Sequence, residues 1–508
     1  MKKFTVLFLA GFLILAFGTT VYAQAKLEFK ASGFIDIQSF LLRNVPQLQA
    51  PNQVFYGTAP FGPSTGGFVA FDPVTGRRAG GLNKSDAYWD TRFSLRFDAV
   101  MGKELSGTLQ FEMDASRWGN AAGAAGSASG AMGRWSADST AVEIKYAYVD
   151  FGMPYFGIPV PITVRAGIQP FAIRPWFLQA ADGAGVSGGI NIDPVMINPM
   201  YFKVAEGVDW VHDDVDAWAL QASAKLGTFN VGGYWLFYDM ENYPVGAAAA
   251  PYVRGPNDAD FHWFGLFLDG KAGPVNLQFD AGYDWGKVKN PTFSDVKYRG
   301  WATRLKVNFP WEKFDAGFVG MYATGADANK SSQAGLPDGT STKMTGWVVP
   351  VGSEQAPACG AIQAESVVFY GQDPGASGGA GWAVRINGSA VGPGSYSGTW
   401  FGKLYASYKA TPWYKVTLQG LYIGDTVKHA NAIGTARKSD GTFRDDKTIG
   451  IEFDLINDFQ IYKNLSFKVS GGYIFAGKGM DLYTGVPAAG NFEMQNPWAI
   501  RTKLFYAF

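Results

Sequence analysis

The sequence predicts an all-β chain: a transmembrane antiparallel up-and-down β-barrel of about 18 strands, with 16 as the alternative. Three observations predict it. In residues 498–508, Trp498, Ile500, Leu504, Tyr506 and Phe508 share one face, and Arg501 and Lys503 lie on the other. That is the period of a strand with lipid on one side and water on the other, about long enough to cross a bilayer when tilted. Beyond residue 23 no stretch of 18 apolar residues occurs, so no helical span is expected. The 508 residues also include 65 Gly and 16 Trp, and only 17% are charged while 16% are aromatic. Soluble domains average about 25% charged residues and about 7% Gly. Aromatic girdles at two interfaces and glycines in turns and wall account for the excess. An antiparallel sandwich gives the same alternation, but needs neither the glycines nor the terminal aromatic.

The first residues read as a secretory signal. Met1-Lys2-Lys3 is basic, 4–17 is almost wholly apolar, and Val21-Tyr22-Ala23 supplies small residues at a cleavage position after Ala23. The competing reading, a permanent anchor, is short of the roughly 20 residues a spanning helix needs. Residues 24–508 are then one barrel domain. The net charge is zero and the isoelectric point is near 6.8, which removes the electrostatic case for nucleic acid. Cys359 is the only cysteine, so no internal disulfide forms.

Strand faces follow from dyad alternation. Phe93, Leu95 and Phe97 oppose Arg92, Ser94, Arg96 and Asp98. Leu105, Leu109, Phe111 and Met113 oppose Thr108, Gln110, Glu112 and Asp114. Val275, Leu277, Phe279 and Ala281 oppose Asn276, Gln278 and Asp280, and Leu465, Phe467 and Val469 oppose Ser466, Lys468 and Ser470. A slip of one residue would put these charges into lipid. Short turns are expected near 102–104, 152–159, 227–228, 270–273, 310–312, 411–414 and 458–463. Long connections are expected at about 43–88, 118–139, 171–185, 239–260, 324–399, 425–446 and 476–497. The count closes only if 169–217 holds two strands, about 186–197 and 201–212, joined at Asn198-Pro199. The 324–399 connection is long enough to be functional on length alone, and its Gly, Ser and Ala content suits a lid or an inward-folded constriction. The 43–88 loop is the other candidate for narrowing the pore.

Several motifs carry less than they promise. Gly183 to Gly188 has dinucleotide-fingerprint spacing but neither the strand before it nor the helix after it. His212, His262 and His429 are not spaced as metal ligands, and nothing arranges a catalytic partner. No catalytic residue, metal or cofactor is therefore assigned. Trp400, Tyr408, Tyr422 and Tyr473 read as interface girdle, whereas Trp176 and Phe177 are candidate sugar-stacking platforms.

The charges that alternate with apolar residues point inward, because a lipid-facing Arg or Lys costs about 2–4 kcal/mol at the midplane. The pore-lining candidates are Arg92, Arg96, Asp98, Glu112, Asp114, Arg165, Gln169, Asp280, Asp284, Arg304, Lys306, Glu452, Asp454, Arg501 and Lys503. Lys145, Lys403 and Lys468 belong with them. More than half are expected to pair across strands as scaffolding. The mixed signs give no clear ion preference, although Arg92, Arg96 and Arg165 lean towards an anionic or hydroxylated solute.

The chain ending on Leu504, Tyr506 and Phe508 resembles the closing strand of bacterial outer-membrane barrels, whose terminal Phe is read by the barrel assembly machinery. The stretches 448–455 (Thr-Ile-Gly-Ile-Glu-Phe-Asp-Leu) and 465–477, with Gly471-Gly472-Tyr473, resemble alginate-export-like porins. The segment 141–182, with Ala147-Tyr148-Val149-Asp150-Phe151 and Arg165-Ala166-Gly167-Ile168-Gln169, resembles proteobacterial porins of that broad group. The resemblance implies an 18-stranded channel in the outer membrane of a Gram-negative cell, with short periplasmic turns and long extracellular loops. It does not fix the cargo; the expected function is passive passage of small hydrophilic solutes, with outer-membrane lipid and lipopolysaccharide around the barrel and a homo-oligomer such as a trimer as the expected assembly. Export of an anionic polysaccharide, a barrel sheath for an electron-transfer complex and a rim enzyme are the alternatives.

Overall fold

The computed structural model describes residues 26–44, 70–71, 78–79, 85–119, 133, 142–153, 161–175, 177–207, 210, 213–243, 257–327, 329–331, 341–350, 365–371, 391–392, 398–429, 442, 446–480, 482–483, 491–492 and 495–508. The expected signal segment, Cys359, Trp176 and His212 lie outside them.

Eighteen long strands form the wall. They are β1 (Leu27–Arg43), β2 (Ser85–Met101), β3 (Leu105–Arg117), β4 (Glu143–Gly152), β5 (Ile162–Ile173), β6 (Gln179–Ile192), β7 (Val195–Ala205), β8 (Val215–Leu226) and β9 (Phe229–Tyr243). The second half comprises β10 (Asn257–Ala272), β11 (Val275–Lys289), β12 (Trp301–Trp311), β13 (Phe314–Ala323), β14 (Thr399–Thr411), β15 (Tyr414–Asp425), β16 (Thr448–Tyr462), β17 (Leu465–Ala476) and β18 (Trp498–Ala507). Each pairs antiparallel with its neighbours in sequence, and β18 pairs back onto β1, with Ile35 opposite Tyr506 and Gln38 opposite Lys503. Closure leaves no sheet edge, the condition for strands to sit in hydrocarbon without orphaned backbone groups.

Side-chain alternation assigns the two faces as the sequence predicts. Leu266, Leu404, Leu418, Phe453 and Phe475 stand exposed on the outside, while Asp280, Asp284, Glu452 and Asp454 are buried within. Two outer aromatic bands bound the apolar wall. At the long-loop end, rings run from strand to strand through Tyr201, Trp218, Phe237, His262 and Trp285, with centroids 4.5–5.7 Å apart. Trp301–Tyr322 and Trp400–Tyr422 continue that band. At the short-turn end Phe314 packs on Tyr408, and Tyr414 on Phe459. Amphipathic rings belong where hydrocarbon meets headgroups. His262 is therefore a girdle residue on the lipid side.

The structure corrects the weakest stretch of the strand assignment. The turn between β6 and β7 is at Asp193-Pro194, not Asn198-Pro199, and Pro199 lies inside β7 opposite Leu220. Proline is tolerated there because the β6–β7 ladder is interrupted between Ser187–Met200 and Ile190–Ile197, where its missing N–H is not needed. The connection expected at 171–185 spans only 174–178. Its supposed second half is the start of β6, whose Ala and Gly residues hide a strand in composition. Gly183 and Gly185 lie against the ring of Phe202, and at Gly185 a Cβ would also come within 2.2 Å of the Tyr201 carbonyl oxygen, which leaves no room for a side chain there. The Gly183 to Gly188 motif is wall, paired to β5 and β7.

Candidate functional site: the occluded lumen

Among the described residues, three inward-folded pieces of connection occupy the lumen: 174–175 with 177–178, 341–350, and 365–371. Strand carboxylates hold them through their backbone. Asp284 accepts from the N–H of Gly300 (2.8 Å) and of Val348 (3.1 Å), and Trp263 Nε1 donates to the Val348 carbonyl (2.9 Å). Glu452 accepts from the N–H groups of Val368 (2.6 Å) and Phe369 (3.0 Å), and Asp454 from Val367 (3.1 Å). Trp347, Val348, Val368, Phe369 and Tyr370 then fill the space with apolar side chains, each almost wholly buried. Phe177 packs on Trp347 at 5.7 Å. It is core, not an accessible sugar platform.

Two charged side chains of these described segments, Glu365 and Arg174, pair with the wall. The carboxylate of Glu365 accepts from Arg304 Nη2 and Lys403 Nζ, both at 2.6 Å, and its backbone carbonyl accepts from Lys403 at 2.9 Å. Burial alone would raise its pKa, but the adjacent Lys403 and Arg304 charges more than reverse this and hold it at about 2. The 174–178 turn is anchored similarly, with Arg174 against Asp280 and Asp269 and its guanidinium 4.5 Å from the Phe267 ring.

The described sequence candidates lie on the inner face, and nearly all have polar partners. Arg92 bonds Glu112, which also meets Lys145 at 3.0 Å. Arg96 pairs with Asp98 at 2.8 Å and Arg165 with Asp150 at 2.6 Å. Gln169 donates to the Gly185 carbonyl and accepts from Ser187. Lys503 meets Asp36 at 2.6 Å, and the Arg501 guanidinium lies 5.4 Å from the Phe40 ring. Lys306 makes no ion pair among the described residues. The side chain of Asp114 is outside the described set. Sequence reasoning missed Glu365, Arg174 and Asp36. The first two sit in connections with no periodicity, and Asp36 lies on a strand whose alternation was not read.

A cavity of about 1060 Å³ runs from the short-turn ends of β14–β18 across to the inner faces of β1–β6. Its charged lining is Asp36, Arg92, Glu112, Lys145, Asp182, Lys409, Lys415, Asp458, Lys468 and Lys503. A larger concavity, about 1400 Å³, is bordered mainly by Phe318, Leu404, Leu418, Phe453, Leu455 and Ile500. These face lipid, so it is a hollow in the outer wall and not a solute site.

No family model matches the chain, and no curated protein matches it. Among solved structures, OccK8 (OprE) of Pseudomonas aeruginosa aligns with a TM-score of 0.48 at 8% identity, covering 94% of this chain and 98% of that one. OccK1 (OpdK) of the same organism aligns at 0.46 and 8%, covering 94% and 98%. OccAB4 of Acinetobacter baumannii aligns at 0.46 and 11%, covering 96% and 99%. At these scores and identities the likenesses bear on neither family nor solute. The resemblance of 448–455 and 465–477 to alginate-export-like porins finds no support in a family match.

Proposed function

We propose that this chain is an outer-membrane porin that passes small hydrophilic solutes passively. The observation that carries the reading is a closed 18-strand wall, apolar outside, with a charged cavity of about 1060 Å³ inside it. A barrel of this strand number is wide enough for an aqueous path unless a loop plugs it. Here the described plug segments leave a cavity along the β1–β6 wall. Passage then requires the 341–350 and 365–371 segments to shift, or a path beside them, with selectivity set by aperture and inner charge. Polysaccharide export and an electron-transfer sheath are not supported. Glu112, Asp280 and Asp284 share the inner face with the bases, and the chain's own segments fill space a protein guest would need. Planar-bilayer recording of refolded protein in a salt gradient tests the proposal. Discrete conductance steps support it, and an electrically silent, correctly folded barrel rules it out.

A further inference from the structure

Elsewhere on the inner face most bases meet acids, but at the short-turn mouth they meet each other. Across the last five strands a single row of directly opposed residues reads Lys409, Lys415, Asp458, Lys468, Lys503. Lys409 on β14 faces Lys415 on β15, which faces Asp458 on β16. Asp458 faces Lys468 on β17, which faces Lys503 on β18. Opposed residues have Cβ atoms roughly 4.5–5.5 Å apart, and like charges so placed destabilise a sheet. The row contains two such pairs, Lys409–Lys415 and Lys468–Lys503. Asp458 is shared between Lys415 (3.5 Å) and Lys468 (3.2 Å), and Lys503 is met by Asp36. Lys409 forms no ion pair among the described residues. Four ammonium groups therefore share two carboxylates on one wall of the open cavity, where alternation could as easily have supplied neutral residues.

We propose that this row is a binding site for a small oxyanion of two or more negative charges. Ammonium groups act as compact point charges with rotatable donors, without the planar fork of Arg, so they accept tetrahedral and planar oxyanions alike. Their spacing lets two or three converge on one ligand. A phosphate and a dicarboxylate share this chemistry. The role of the site as an entry or exit station rests on the porin reading; the binding itself does not.

The test uses the full-length refolded protein in detergent, titrated calorimetrically with inorganic phosphate and separately with succinate. The Lys409→Gln/Lys415→Gln/Lys468→Gln triple variant should bind roughly tenfold more weakly, since a focused field changes local ion concentration by about 10–10³. The corresponding triple Lys→Arg variant should retain binding. Affinity for phosphate alone or for both ions names the ligand class. No saturable binding of either ion, or equal binding by wild type and the Gln triple, overturns the site. Should the Gln triple fail to show heat-modifiable migration, Lys468→Gln alone is read in the same way. In bilayers, phosphate on the short-turn side should reduce the chloride current of the wild type only. Binding without conductance sinks the porin reading and keeps the site; conductance without binding does the reverse.

Discussion

Lys403 grips Glu365 twice, its ammonium donating at 2.6 Å to the carboxylate and at 2.9 Å to the backbone carbonyl of the same residue. With Arg304 on the other oxygen, this clamp fixes the start of the 365–371 segment to β12 and β14. Removing one member of a buried charge cluster leaves the others uncompensated, at a cost of about 3–5 kcal/mol. The three backbone hydrogen bonds to Glu452 and Asp454 hold the rest of the segment, at roughly 0.5–1.5 kcal/mol each. Glu365→Ala should therefore loosen the plug without unfolding the wall. The expected result is a larger or noisier single-channel conductance with unchanged heat-modifiable migration. Wild-type conductance in this variant would show that the segment does not stand in the path.

The same clamp has a pH signature. Glu365 is held at about 2 in the folded protein, against about 4.3 for an exposed Glu. A carboxylate with a depressed folded pKa contributes stability that is complete above its unfolded pKa and is lost as pH falls through the folded value. The difference in unfolding free energy between wild type and Glu365→Gln should be flat from pH 8 to about 5, then shrink between about 4.5 and 2. Denaturant unfolding in lipid vesicles at several pH values measures it. A difference that vanished already near pH 6 would mean that the carboxylate is not clamped as described.

How much of this was legible depends on whether a residue obeys a period. Arg501 and Lys503, Asp280 and Glu452 could be turned inward from sequence because each alternates with residues that only lipid would accept. The strand number followed from the parity of turns. The β6–β7 region was misread because Ala180, Gly183 and Gly185 carry no face preference, and Asn198-Pro199 looks like a turn wherever it stands. The plug was legible only as a long connection. Glu365 meets Arg304 and Lys403 across 61 and 38 residues of sequence, and no local pattern announces contacts of that range. Phe177 failed for a related reason: an aromatic in a short loop reads as exposed until its partner, Trp347, is known.

The barrel seam gives a sharp steric test. Gly33 on β1 exchanges backbone hydrogen bonds with Phe508, 2.9 Å in one direction and 3.0 Å in the other. A Cβ at this position would come within 2.3 Å of the Ser94 carbonyl oxygen and 2.9 Å of the Phe508 ring. The ring can swing away, but the β2 backbone cannot without breaking its register with β1. Gly33→Val should accordingly cut the yield of closed barrel sharply, read as the heat-modifiable band on a gel. Gly107→Val is the matched control, since its Cβ would meet nothing within 4 Å. Equal yields from the two would mean the seam is not packed as found.

Two adjacent residues at one depth separate the faces of the wall energetically. Leu418 is 61% exposed on the outside of β15, opposite Leu455. Its neighbour Thr417 turns inward, where its hydroxyl shares a 2.7 Å hydrogen bond with Ser407. Lysine at 418 must leave its ammonium in hydrocarbon or bend towards an interface several residues away, which costs about 2–4 kcal/mol near the midplane. Lysine at 417 forfeits one hydrogen bond, about 1 kcal/mol, and gains a watery lumen for its charge. Leu418→Lys should therefore destabilise the barrel by at least about 1 kcal/mol more than Thr417→Lys when both are unfolded in denaturant from the same vesicles. The reverse order would place lipid on the face assigned here to water, and with it every inward charge in the molecule.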